Sequence, residues 1–453
     1  MSKRRLESWR LLAFAGPSLP ISAMGLPIGV YLPPFYASQM GLGLAAVGTV
    51  FMLARFWDVI TDPMMGVLSD RFPSRWGRRR HWMVLAVPIM VASAFMIFMP
   101  NPPVSAWYLG GWLFIFYIGW TMLTLSHMSW GAELDPDYNE RSRVQAFREG
   151  GMLLGVFLVL LLPAVIEQMG GENVASQRVS SMGWFIIILL PLTVGLAAFL
   201  VPERKVRPAP PMPFFEGVKA ILGNRALRFI LSADFLSGFS GASLASLFLF
   251  EATYVWKVPT YASALLLLYF LAGVVFMPLV LRVSYRFGKH RTLVGAALFN
   301  ATMVPLILLL PENSPILAAC LMTFLGMNVG SINMLYRSMM ADVSDLDEVE
   351  SGQRRTGLFY AFMTLTQKMG GALAVGVVFW ALSLIGFQPD GENDASAIRG
   401  LGIVFVTVPL VCNLAVAILM ARFPIDLERQ KELRRILEER VTEEYEQDQR
   451  PVL

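Results

Sequence analysis

Twelve stretches of roughly 20 or more mostly apolar residues follow one another along the chain. They lie near 12–38, 44–70, 82–100, 106–131, 144–167, 182–202, 226–251, 260–285, 292–311, 315–341, 356–386 and 398–421. A helix of that length crosses about 30 Å of hydrocarbon. In hydrocarbon the backbone must satisfy its own hydrogen bonds, which leaves helices or closed barrels. The runs are long and do not alternate, so barrel strands are excluded. The expected fold is an all-α polytopic membrane protein with twelve transmembrane helices. No cleavable signal is expected, because the first stretch exceeds a signal core of about 7–15 residues and leads into further spans.

Composition agrees. Of 453 residues, 55% are apolar and 15% are charged, against about 25% charged in soluble domains. An ordinary soluble enzyme is thereby excluded, and 31 Phe, 11 Trp and 26 Met exclude a disordered chain. The net charge of +4 could point to nucleic acid, but no compact basic domain with spaced aromatics is present. The basic residues alternate between loops instead. Predicted external connections hold only Arg178, Lys257 and Arg399, whereas Lys3, Arg4, Arg5, Arg75, Arg78, Arg79, Arg80, Arg204, Lys205, Arg207, Arg286, Lys289 and Arg291 fall on the other side. This bias puts both termini in the cytoplasm and the chain in the plasma membrane, the inner membrane of a bacterium. The expected partner is the lipid bilayer, not nucleic acid. Cys320 and Cys412 sit inside spans, so no disulfide framework is expected.

A Pro-rich segment, 203–225, separates an amino-terminal bundle of six spans (1–202) from a carboxy-terminal one (226–424), and a charged tail helix follows at 425–453. The tail reads as a solvated face. The halves repeat: Pro63, Ser69 and Arg71-Phe72 match Pro278, Ser284 and Arg286-Phe287 at an offset of 215, and Gly77 matches Gly288 after a four-residue gap. A duplicated six-helix unit with a basic turn after its second helix is the pattern of parallel-repeat transporters. Gly66, Asp70, Arg71, Gly77, Arg78 and Arg79 carry the Gly-x-x-x-Asp-Arg…Gly-Arg-Arg form of the major facilitator superfamily. The fold expected is two pseudo-symmetric six-helix bundles.

Charges inside spans identify the candidate site. A carboxylate at the bilayer centre costs about 2.5–3.5 kcal/mol, yet span two carries Arg55, Asp58 and Asp62 on one helical stripe. Two carboxylates one turn apart repel unless a cation or proton lies between them. Pro63 disturbs the local backbone ladder, and Thr61 or Thr121 would add hydroxyl oxygens to a site suited to a hard cation. The competing explanation is that Arg55 neutralises both acids. At the repeat-equivalent positions the second half has Phe270, Gly273 and Met277. The acid pair is therefore not a packing requirement of the unit. Lys368, deep in span eleven, requires a carboxylate partner, and Asp58 or Asp62 across the bundle is the natural one. Arg148 with Glu149, Asp234, Arg337 and His127 are the other intramembrane polar residues. His127 reads either as a proton relay or as a polar side chain facing the cavity.

Residues 54–66 (ARFWDVITDPMMG), 74–82 (SRWGRRRHW) and 341–357 (ADVSDLDEVESGQRRTG), with Lys368, resemble the glycoside–pentoside–hexuronide:cation symporter family over nearly the whole chain. The resemblance implies a cation site at Asp58, Asp62 and Thr121, with Thr61 where the family has asparagine. It implies a junction of cation and solute sites at Arg148 and Lys368. Where the melibiose-transporting member has sugar-binding acids and aromatics, this chain has Ser22, Thr124, Met128 and Asn333. The coupling site is kept and the sugar site is rewritten.

The resulting expectation is a symporter that imports a small solute, by family default a sugar or glycoside, with Na⁺ or H⁺ as coupling ion and no other cofactor. Gating is expected from Gly66, Asp70, Arg71, Gly77, Arg78 and Arg79 pairing with Glu133, Asp135 or Asp342. The alternatives are a proton-driven exporter or carrier of an amphipathic, lysolipid-like solute and, remotely, a prenyltransferase using the Asp-x-x-x-Asp pair.

Overall fold

The computed structural model describes residues 7–448 except 73, 135–137, 171–172, 204–222, 353–354 and 390. Asp135, most of the 203–225 connection, and Lys3, Arg4, Arg5, Arg204, Lys205 and Arg207 lie outside the described residues, as do the side chains of Asp70 and Arg71.

Among the described residues, twelve helical spans are long and apolar enough to cross a membrane. They are Ser8–Ser38, Leu44–Gly66, Arg80–Phe98, Ala106–Gly131, Arg143–Met169 and Val174–Leu200, then Arg225–Val255, Pro259–Phe287, Lys289–Leu309, Pro315–Ser351, Thr356–Leu384 and Ala395–Ala421. They are numbered one to twelve below. Odd spans run from the end that holds Ser8 and the tail helix to the far end, and even spans return.

Prolines shape the spans. Span one is built from Ser8–Ala15, Ser18–Leu26, a π turn at Pro27–Tyr31 and Leu32–Ser38, because proline removes a backbone donor wherever it falls. Span six starts at Val174, earlier than the expected 182, and takes in Arg178, which is therefore not a loop residue. The helix accommodates this charge because the Arg178 guanidinium lies 2.7 Å from the Glu167 carboxylate of span five. Span ten continues past the expected 341 to Ser351 and is interrupted between Gly326 and Val329. Its acidic end is held by Arg355, which donates two hydrogen bonds to Asp347.

The sequence repeat is visible in backbone detail. Pro63 and Pro278 both lie inside helices. Ser69 donates to the Gly66 carbonyl at 3.0 Å and Ser284 to the Leu281 carbonyl at 2.8 Å. Gly77 and Gly288 have φ of 131° and 88°, a region strained for L side chains. The tail helix Leu427–Asp448 corrects the expectation of a wholly solvated segment. Leu433 is buried with Ile425 in an apolar cluster of the last six spans, and Gln430 donates to Asp342 at 2.7 Å. Large apolar side chains such as Trp107, Phe199, Ile316 and Leu384 are exposed, as expected of a surface solvated by lipid.

Hydrogen bonds that join the two halves cluster at the far end. The Tyr31 and Ser263 hydroxyls are 2.7 Å apart, and Ser263 donates to Glu167 from both its amide (2.9 Å) and its hydroxyl (2.7 Å). Gln168 donates to the Thr260 carbonyl at 2.9 Å, and the Trp380 indole to Thr49 at 3.0 Å. Spans two and eleven approach so closely there that a Cβ on Gly48 would fall 2.7 Å from the Phe379 Cβ.

Candidate cation site and solute cavity

Asp58 and Asp62 lie one turn apart on span two, so their carboxylates emerge together. Lys368 reaches them from span eleven, its Nζ 2.8 Å from Asp58 Oδ2 and 2.5 Å from Asp62 Oδ2. The other oxygens face span four, where the Thr121 hydroxyl stands 3.1 Å from Asp58 Oδ1 and 3.0 Å from Asp62 Oδ1. Thr61 closes the ring, its hydroxyl 3.2 Å from that of Thr121 and 3.1 Å from the Asp58 carbonyl. Asp58 is 2% exposed and Thr121 fully buried.

Charge counting defines what this cluster can do. Two ionised carboxylates against one ammonium leave a net charge of −1, which is costly out of water. One proton or one monovalent cation balances it. A hydroxyl has a single hydrogen, so Thr121 donates to one acid at a time and offers a lone pair to a cation. Arg55 does not supply the missing charge. Its guanidinium lies 5.6 Å from the centre of the Tyr117 ring, and among the described residues it forms no ion pair with either acid.

A cavity of about 280 Å³ opens in the last six spans and is completed by Leu26 and Val30 of span one. Its wall combines the Trp256, Tyr269 and Phe270 rings with Asn300, Asn333 and Asn413, and among the described residues no charged side chain lines it. Gln367 bridges the cavity to the cluster: its side-chain amide donates to Asn333 Oδ1 at 3.3 Å, and Lys368 is the next residue. Spans seven and eleven sit backbone to backbone here, since a Cβ on Gly238 would meet the Gln367 carbonyl at 2.8 Å. Gln367 does not stand out in the sequence. A glutamine carries too little insertion cost to stand out as a charge does.

Other expected site residues go elsewhere. Of those assigned to the solute, Asn333 lines the cavity, whereas Ser22, Thr124, Met128, His127 and Arg148 do not, because the cavity lies almost wholly in the other half. Ser22 and Thr124 donate to carbonyls of their own helices, Leu19 and Trp120. His127 is buried, stacks on Phe14 with ring centres 4.6 Å apart, and bonds the Phe14 carbonyl through Nε2 at 2.8 Å. Arg148 is held by Gln145 (2.9 Å) and Glu149 (3.3 Å) on its own helix, not at the cation cluster.

The residues expected to gate meet in part as expected. Arg78 and Arg79 both reach Glu133, at 2.5 and 3.1 Å, while Asp342 binds Lys289 at 2.6 Å. Each of these ion pairs lies within one half, and the second pair repeats the first. The turn has a further partner. Glu203 accepts the Arg78 and Arg79 amides at 2.6 Å each and the Arg80 amide at 3.1 Å, capping the start of span three. Gly77 admits this carboxylate, because any Cβ there would overlap it. Gly66 borders open space.

Twelve spans in duplicated halves around a buried charge cluster define a secondary transporter of the major facilitator type. Residues 13–427 match the family described as MFS/sugar transport protein, and the chain belongs to that family. It is a transporter, not an enzyme, and a multi-pass membrane protein; its resemblance to the glycoside–pentoside–hexuronide:cation symporters agrees with its relatives. It is 26% identical to the isoprimeverose transporter of Lactiplantibacillus pentosus, covering 85% of this chain and 82% of that one. It is 22% identical to the human sodium-dependent lysophosphatidylcholine symporter 1, covering 96% and 89%. Among solved structures, a D-xylose-proton symporter superposes with a TM-score of 0.64 at 16% identity, covering 92% of this chain and 98% of that one. That likeness concerns the fold.

Proposed function

We propose that the chain is a cation-coupled symporter in which Na⁺ or H⁺ at Asp58 and Asp62 competes with Lys368, and in which a small uncharged solute occupies the cavity beside Trp256. The observation that carries this is the Lys368 ammonium bridging both acids from the opposite half. A bound cation removes the need for that bridge. Lys368 is then free to move with span eleven, and Gln367 transmits the shift to Asn333 at the cavity wall. Solute bound there biases the same span, which makes transport of cation and solute interdependent. One charge entering down the membrane potential supplies about 2.3 kcal/mol per 100 mV, enough for roughly fifty-fold accumulation.

Loop charge supports cytoplasmic termini, which puts the far-end bonds among Tyr31, Glu167 and Ser263 on the outside and makes this the outward-closed state. Aromatic rings together with asparagine amides suit a hydroxyl-bearing solute such as a sugar or glycoside, as does the isoprimeverose transported by one relative. A thermal-shift screen of sugars, glycosides and lysolipids with and without Na⁺ identifies the solute class. Uptake into proteoliposomes under an imposed Na⁺ or pH gradient then tests coupling and direction. Import driven by an inward cation gradient is expected; net export against it would overturn the proposal in favour of an exporter.

A further inference from the structure

A second acid is buried far from the cluster described above. Glu251 opens a π turn, Glu251–Val255, near the far end of span seven. It is 0% exposed, and neither carboxyl oxygen has a hydrogen-bond partner. The Trp256 indole N–H, which also lacks a hydrogen-bond partner, faces the carboxyl group without hydrogen-bonding geometry. Span twelve packs against the other side, where an added Cβ on Gly402 would lie 3.9 Å from Glu251 Oε1.

Charged groups around this site are engaged elsewhere or exposed. On its own turn, the Tyr254 hydroxyl donates to the Pro389 carbonyl at 2.5 Å. Beyond the turn, Lys257 pairs with Glu312 at 2.7 Å. On span twelve, the titratable side chain one turn before Gly402 is Arg399, which is exposed. Among the described residues none forms an ion pair with Glu251. An isolated ionised carboxylate in such surroundings is strongly disfavoured and takes up a proton instead.

We propose that Glu251 is a second ion site of this transporter, a proton-binding site in the carboxy-terminal half, and that its proton exchanges with water admitted through the cavity wall at Trp256. Trp256 lines the solute cavity, so one side chain touches both the proton site and the solute space. A donor N–H faces the carboxyl group, an arrangement that favours a proton over a metal cation, since a cation would meet the positive end of the indole dipole. The O–H bond of the acid breaks when water reaches it, the proton passes to that water, and the carboxylate so formed accepts the Trp256 N–H. The π turn fits this role: π turns recur at functional sites, and span one has its own at Pro27–Tyr31, with no acid. The site goes beyond the coupling proposal and stands or falls separately from the Asp58–Asp62 cluster.

The test is pH-difference infrared spectroscopy of the full-length protein in proteoliposomes. Wild type is expected to show a carboxylic acid C=O band that shifts in heavy water and disappears on raising the pH. Asp58→Asn and Asp62→Asn should retain it, Glu251→Gln should lack it, and adding Na⁺ at constant pH should leave it in place. A Glu251→Gln difference spectrum that superposes on wild type, or a Glu251 band abolished by Na⁺, overturns the proposal. Should Glu251→Gln fail to fold, Trp256→Phe gives the same decision: the band is expected to move, and an unmoved band overturns the assignment.

Discussion

Lys368 and Asp62 lie 306 residues apart in sequence, yet their charged atoms meet at 2.5 Å across the boundary between the two halves. The contact carries a first prediction. Lys368→Met leaves two acids in a largely buried site, and breaking a buried pair costs about 3–5 kcal/mol. The variant should melt well below wild type in cation-free buffer, and a saturating coupling cation should restore more stability to it than to wild type. Differential scanning of both proteins with and without Na⁺, at acid and neutral pH, checks this.

Closure of the far end should depend on Glu167. Its carboxylate accepts from Arg178, the Ser263 amide and the Ser263 hydroxyl, and charge-assisted bonds of this kind contribute about 1.5–3 kcal/mol each. Cysteines placed at Gln168 and Thr260, which touch in this state, should cross-link readily. Adding Glu167→Gln is expected to slow that cross-linking by tenfold or more.

Gly48 should matter in the same state for a steric reason. A Cβ there would meet the Phe379 Cβ at 2.7 Å, and neither backbone can yield without opening the contact between spans two and eleven. Gly48→Val should therefore hold the far end open. The same cross-linking pair should react slowly in it, with the melting temperature little changed.

Glu203 gives a prediction about stability, not coupling. Glu203→Ala removes the acceptor of three amides, and each unsatisfied donor costs about 1–3 kcal/mol where water cannot replace the carboxylate. A fall in melting temperature with unchanged cation affinity is expected, and cation titration of the thermal shift separates the two.

Charge was legible in the sequence in proportion to the cost of burying it. Asp58, Asp62 and Lys368 stand in the middle of apolar runs, where an ionised group requires a partner, and the structure brings these three together. Glu167, Glu203 and Glu251 stand at span ends, where an acid reads as an interfacial or loop residue. In the structure Glu167 and Glu203 are acceptors of several hydrogen bonds, and Glu251 is fully buried without a partner. The span ends themselves shifted for related reasons: Arg178 belongs to span six because Glu167 pairs with it, and the π turn carries span seven past Glu251. Candidate solute residues are the least legible. Ser22, Thr124 and Met128 follow from resemblance alone, and the asparagines and aromatics that line the observed cavity are ones that no hydropathy pattern distinguishes from packing.

The coupling role of the acid pair is tested most directly by cation-gradient-driven uptake in proteoliposomes of wild type, Asp58→Asn and Asp62→Asn, using a solute identified by the thermal-shift screen. Gradient-driven accumulation should be lost in both variants, while Glu203→Ala reconstituted in parallel retains it. Accumulation that survives both substitutions contradicts a cation site at Asp58 and Asp62.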